Sequence, residues 1–183
     1  VIRLETPRLL LRPWQPADRA PFAALNADPE VMRYFPAVLT RAQSDTFAAR
    51  IEAQFAEDGW GLWAVERRDT AGFIGFVGLM RLGFVPPFST VQTPPIEIGW
   101  RLARAHWGCG FATEAAEAAL QFAFARLGLP EVVSITAAVN GPSEAVMGRI
   151  GMVADGSFVH PSLATGHWLS RHVLYRADGG PHA

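Results

Sequence analysis

The apolar positions of the chain change period several times, and each change marks an element. Arg8 to Arg12 sets three leucines between two arginines, the pattern of a short buried strand. Pro16-Ala-Asp18 opens a stretch to about Asn26 in which Phe22, Leu25 and the alanines recur at helical spacing. Asp28 to Tyr34 reads as a second, short helix. From Ala42 to about Glu57, Phe47, Ile51 and Phe55 repeat every four residues, which predicts a longer helix stopped by Asp58-Gly59.

Strand pattern then takes over. Trp60 to Glu66 alternates, Arg67 to Gly72 is turn-like, and Phe73 to Leu82 is apolar and rich in strand formers. Gly83 to Pro95 carries four prolines (86, 87, 94 and 95) and cannot be a ladder strand; it is either an ordered loop over a site or a plain linker. Ile96 to Leu102 is the next strand, and Ala112 to Leu127 an alanine-rich helix ended by Gly128 and Pro130. Val132 to Val139 is a β-branched strand, Pro142 to Ile150 a short helix closed by Gly151, and Met152 to Phe158 and Leu169 to Tyr175 are the last strands. The order β-α-α-β-β-β-α-β-α-β-β describes an α/β (α+β) fold on a single mixed sheet, about seven strands with about four helices. No repeat or boundary divides it, so residues 1–183 are expected to be one domain with its core at about 8–176.

Composition narrows the function classes. Half the residues are hydrophobic and 18% are charged, which is a globular rather than a disordered balance. The net charge of −1 comes with no basic run, which argues against nucleic acid as a partner. No apolar stretch approaches the roughly 20 residues of a membrane span, and the opening Val1-Ile-Arg-Leu-Glu-Thr-Pro lacks the layout of a signal peptide. A soluble, cytoplasmic protein is the expectation. Cys109 is the single cysteine and the five histidines show no ligand spacing, so no metal is expected.

The chemistry concentrates between Glu97 and Ser143. A strand leads into the turn Trp107-Gly-Cys-Gly-Phe-Ala112 and then into a helix beginning Thr113-Glu114. Gly108 and Gly110 let backbone approach a ligand, and a helix N-terminus offers unpaired N–H groups and a favourable dipole. Such a turn is either an anion site suited to a pyrophosphate or an ordinary glycine turn. A P-loop is excluded because no Gly-Lys-Ser/Thr follows, and the G-x-G-x-x-G spacing of a dinucleotide fold is missing.

These residues resemble the GNAT superfamily of N-acyltransferases. Its signature (Q/R)-x-x-G-x-(G/A) wraps the CoA pyrophosphate; here Gly110 and Ala112 fit, and Trp107 stands where Gln or Arg is usual. The run Trp107-Gly-Cys-Gly-Phe-Ala-Thr-Glu-Ala115 resembles the W-G-x-G-Y-A-T-E-A of the RimJ/RimL-like branch, ribosomal-protein alanine N-acetyltransferases. The opening Leu4-Glu-Thr-Pro-Arg-Leu-Leu-Leu-Arg12, the strand Ile96-Glu-Ile-Gly-Trp100, and Asn140-Gly-Pro-Ser143 with Arg149-Ile-Gly-Met152 resemble that branch in the same order.

The resemblance implies a sheet splayed between its fourth and fifth strands and acetyl-CoA as co-substrate. Trp100, Leu102, Val139 and Asn140 would flank the pantetheine, and Trp107, Gly108, Cys109, Gly110, Phe111, Ala112 and Thr113 would hold the pyrophosphate. The Leu102 N–H would polarise the thioester carbonyl. Glu97 is the candidate general base, directly or through a water, the alternative being a carboxylate that merely faces solvent. The tyrosine acid of the family falls on Met147, which has no proton to donate; Ser143 takes its place, either protonating sulfur or capping a helix. Asn140 either donates to pantetheine or is an ordinary turn residue. Cys109 has no paired His–Asp arrangement that would make it a nucleophile, and His106 either touches phosphate or is a surface turn residue. The six tryptophans read as core or site walls. The expected acceptor is a primary amine, of a protein N-terminus or a small molecule, and a homodimer is common among such proteins. Two alternatives stand beside acetyl transfer: another donor such as succinyl-CoA, hinted at by Arg101 and Arg104, or a non-catalytic acyl-CoA-binding domain.

Overall fold

The computed structural model describes residues 2–86, 94–164 and 166–179, and its apolar runs become the strands of one sheet. These are β1 (Leu4–Glu5), β2 (Leu9–Arg12), β3 (Leu62–Arg67), β4 (Phe73–Arg81), β5 (Ile96–Leu102), β6 (Glu131–Ala137), β7 (Val153–Val159) and β8 (Arg171–Asp178). The helices are α1 (Arg19–Ala27), α2 (Arg41–Asp58), α3 (Phe111–Ala125) and α4 (Gly141–Arg149). The sheet thus has eight strands rather than about seven; the addition is two-residue β1, which alternation cannot reveal at that length. Residues 87–93 of the proline-rich segment lie outside the described residues.

Local signals end several elements where the chain pattern does. Thr40 caps α2, its hydroxyl accepting from the Gln43 N–H at 3.2 Å while Gln43 Oε1 accepts from the Thr40 N–H at 2.8 Å. Gly59 closes α2 at φ 77°, in the left-handed region. Asp28 to Tyr34, expected as a helix, is a run of turns instead. So short a segment cannot recover the cost of helix nucleation by itself, and its role is to bury Val31 and Met32. The last strand runs from Arg171 rather than Leu169, because its register against β6 (Glu131↔Asp178 to Ala137↔His172) is a pairing decision.

The strand order is β1-β2-β3-β4-β5-β6-β8-β7. Every neighbouring pair is antiparallel except β5–β6, which is parallel and carries a single registered pair, Glu97↔Val133. Beyond that pair the two strands part. Helix α3 covers one face through Ala115, Ala116, Ala119 and Ala123, all without solvent exposure; the small side chains let its backbone settle close to Ile98, Leu102 and Val132. Helices α1 and α2 cover the other face through Phe22, Leu25, Ala48 and Ile51, over Leu62 and Phe76.

Arg12, read as a polar flank of the first strand, is buried. Its guanidinium meets Asp18 at 2.7 and 2.8 Å and Glu66 at 2.6 Å, which binds β2 to β3 and to the start of α1. These bonds hold the Arg12 guanidinium well above its ordinary range despite the opposing effect of burial. Among the described residues, no helix is long and apolar enough to cross a membrane.

Candidate active site

The parting of β5 and β6 is where the chemistry-bearing residues meet. Hydrogen bonds from Ala103 N–H to the Ile74 carbonyl (2.8 Å) and from Leu82 N–H to the Pro95 carbonyl (2.9 Å) set the parity of β5 against β4. With that parity, odd-numbered residues of β5 turn their peptide groups to β4. Ile98, Trp100 and Leu102 turn theirs towards the gap. The Leu102 N–H therefore points into the gap.

Two side chains take over backbone partners where the ladder stops. Ser134 Oγ donates to the Ile98 carbonyl at 2.9 Å. The Ile135 backbone, next in line for the ladder, lies against the Glu97 carboxylate and favours its ionised form. Burial nevertheless pushes the Glu97 carboxyl up to about 7, and the Ile135 contact only partly opposes it. Glu97 is half-buried, on the same face of β5 as Gly99 and Arg101.

The glycine turn has the backbone shape of an anion cradle. Gly108 and Gly110 lie at φ 73° and 79°, which other L-residues rarely adopt, and the turn from Trp107 to Gly110 is exposed. Gly110 is the N-cap of α3, and the first bond of the helix runs from the Glu114 N–H to the Gly110 carbonyl at 3.0 Å. That leaves the N–H groups of Phe111, Ala112 and Thr113 directed outward at the positive end of a helix of 15 residues. A Cβ on Gly108 would meet nothing within 4 Å, so the cradle is open above the turn. These features fit a pyrophosphate.

Trp107 also finds its place. Its indole Nε1 donates to the Leu102 carbonyl at 2.8 Å, joining the start of the cradle to the end of β5. The outer wall was not foreseen from sequence. Arg8 Nη1 donates to the Cys109 carbonyl at 2.9 Å, and its Nε meets Glu114 at 2.6 Å. The Arg8 N–H and the Thr6 hydroxyl also donate to Glu114, at 3.0 and 2.6 Å. Burial works to raise the Glu114 carboxyl, but these donors outweigh it and hold it below its ordinary value. The Arg8 and Arg67 guanidinium carbons stand 4.6 and 5.5 Å from the Phe111 ring centroid, placing two cations beside the turn. Arg8 lies inside the opening motif, which was the available signal; nothing local marks Arg67. His106, next to the turn, is held below its ordinary pKa by burial and by Arg67. Cys109 is exposed, its thiol against the Trp107 carbonyl at 3.5 Å.

Across the gap, Asn140 is buried and caps α4. Its amide donates to Thr136 Oγ1 at 2.8 Å and to Ser143 Oγ at 3.0 Å, and its carbonyl oxygen accepts the Ser143 N–H at 3.3 Å. Both amide protons are therefore engaged within the protein. Ser143 Oγ, acting as acceptor, keeps its own proton for another partner. Met147 is buried in the core, and the Tyr175 hydroxyl is 3.0 Å from Glu144, an acceptor that raises its pKa.

Residues 8–153 match the family described as Acetyltransferase (GNAT) domain. YkkB, an uncharacterized protein of Bacillus subtilis, is 32% identical over 151 residues, covering 82% of this chain and 84% of that protein. The FsC-acetyl coenzyme A-N(2)-transacetylase of Aspergillus fumigatus is 31% identical over 165 residues, 85% of this chain and 66% of the relative. The structure of a ribosomal-protein-S5-alanine acetyltransferase from Vibrio fischeri superposes with a TM-score of 0.76, covering 99% of this chain and 98% of its own at 15% identity; that likeness is one of fold.

Proposed function

The chain belongs to the GNAT acetyltransferase family and is an N-acetyltransferase, and on that premise we propose that it moves an acetyl group from acetyl-CoA to a primary amine by direct attack in a ternary complex. The observation that carries this reading is Glu97, a carboxyl pushed up to about 7 at the point where β5 and β6 part. A base with that pKa is half ionised near neutrality and accepts a proton from an ammonium group at useful rates.

The residues divide the work as follows. Glu97 takes one proton from the acceptor ammonium, directly or through a water, and the neutral nitrogen attacks the thioester carbon. The Leu102 N–H, turned into the gap by strand parity, stabilises the oxygen as it becomes negative. When the C–S bond breaks, Ser143 offers its free hydroxyl proton to sulfur; the second proton of the amine nitrogen balances the one that sulfur takes. Asn140 acts by position, holding Ser143 and Thr136 in place. The Gly108–Gly110 turn and the first N–H groups of α3 hold the pyrophosphate, with Trp107 anchoring the turn to β5. Trp100 lines the gap beside the pantetheine.

Calorimetric titration with acetyl-CoA tests the binding half of this reading, with Gly110→Trp as the control that fills the cradle. Micromolar or tighter binding that disappears in the control is expected. Failure to bind acetyl-CoA, succinyl-CoA and free CoA would overturn the proposal.

A further inference from the structure

On the face of β5 that carries Glu97, two residues further on than Gly99, the Arg101 side chain enters a cage of three phenylalanines. Its guanidinium carbon is 4.1 Å from the Phe35 ring centroid, 5.4 Å from Phe76 and 5.7 Å from Phe47. Among the described residues, its one hydrogen bond runs from Nη1 to Asn26 Oδ1, at 2.6 Å. The orientation of that amide is fixed from behind, because Asn26 Nδ2 donates to the buried Ser44 hydroxyl at 2.9 Å. Asn26 is neutral, so it satisfies one donor and leaves the charge uncompensated.

The opposite edge of the guanidinium is unpaired. Arg101 Nε is shut off from solvent and has no hydrogen-bond partner, and Nη2 makes no hydrogen bond or ion pair with the described residues. Burying a cation without an anion is costly, and here burial draws the Arg101 pKa down to about 10. The Nε–Nη2 edge is the planar fork that matches the two oxygens of a carboxylate. Between Glu97 and Arg101 the strand offers Gly99, where an added Cβ would meet nothing among the described residues within 4 Å. A proton acceptor, an open floor and an unpaired fork thus follow one another along one strand face.

We propose that Arg101 is a carboxylate receptor on this face, and that the acceptor presented to Glu97 is an amine that also bears a carboxylate. This rests on the acetyltransferase reading above. Four residues of strand separate the two groups by roughly 13 Å between Cα atoms, and both side chains project from the same face. The ligand therefore carries its amine and its carboxylate several bonds apart. Phe35 is the exposed wall of the cage.

The Nε–H resonance of Arg101, assigned by its loss in Arg101→Gln, is followed in the CoA-saturated protein. N-acetyl-4-aminobutyrate and N-acetyl-6-aminohexanoate are titrated against their carboxamides. A shift with the acids and none with the amides is expected. In turnover assays, ω-amino acids exceed their amides in kcat/KM by about tenfold or more, the value of a charge-assisted pair. Arg101→Gln abolishes that ratio, and Arg101→Lys, with charge but no fork, restores part of it. A resonance that moves only when succinyl-CoA replaces acetyl-CoA assigns the carboxylate to the donor. No response to any carboxylate, with both acceptor classes slowed alike in Arg101→Gln, overturns the receptor and leaves Arg101 as a brace for α1. Acetyl-CoA binding, measured in parallel by calorimetry, separates that failure from failure of the transferase reading.

Discussion

Ser134 in β6 donates a 2.9 Å hydrogen bond to the carbonyl of Ile98 in β5, at the point where the backbone ladder between those strands ends. The sheet parts there without leaving that carbonyl unpaired, because a side chain replaces the N–H that a continuing ladder would supply. Ile135, the neighbour of Ser134, lays its backbone against the Glu97 carboxylate. The gap that receives the pantetheine in the proposed complex and the environment of the proposed base thus have one origin.

Ser134→Ala removes the donor and leaves the Ile98 carbonyl buried. Stability falls by about 1–3 kcal/mol, read as a lower urea midpoint with an unchanged slope. A stability equal to that of the parent would mean that water reaches the gap freely.

Glu97 controls the pH dependence. The rate with a saturating amine rises as pH passes through about 7 and then levels, since the ionised carboxylate is the base. Glu97→Gln removes that limb and lowers kcat by about a hundredfold. Stability has the opposite sign. The folded pKa of about 7 lies above the ordinary 4.5, so the fold binds the extra proton between these values and loses stability as pH rises across that window. Glu97→Gln removes this loss and is more stable than the parent above pH 7, by up to about 3 kcal/mol. Denaturant titrations at pH 5 and pH 8 measure the difference.

Trp107→Phe keeps the ring and deletes the indole donor to the Leu102 carbonyl. The cradle loses its link to β5, and acetyl-CoA binding weakens about twofold to tenfold, the value of one hydrogen bond. Calorimetry on both proteins checks this; unchanged affinity would show that the turn holds its shape unaided.

Asn140→Ala and Ser143→Ala separate positioning from proton transfer. Asn140→Ala loses the cap of α4 and the bond to Thr136, costing about 1–2 kcal/mol of stability, visible in thermal unfolding. Ser143→Ala is milder in stability and lowers kcat only a few-fold, because a CoA thiolate leaves with little assistance. A hundredfold loss in Ser143→Ala at unchanged stability would make the hydroxyl essential to protonation.

Element type and order were legible in the chain because their signals are local. The period of Phe47, Ile51 and Phe55 specifies a helix, the β-branched run after Val132 a strand, and Gly108 and Gly110 a turn only flexible backbone can make. The cradle and the family motifs were legible for the same reason, each being contiguous. Partners far apart in sequence were decided by tertiary structure. Nothing near Glu97 announces that Ile135 will meet its carboxylate, nothing near Arg8 that it will bind Cys109 and Glu114, and nothing near Arg101 that three phenylalanines and Asn26 will enclose it. A pKa and an unpaired charge depend on burial and on which groups face them, and those follow from strand register and from the helices packed above. The sequence by itself determined most of the elements and the glycine turn; folding decided the surroundings of Glu97 and that Arg101 is left with an unpaired edge.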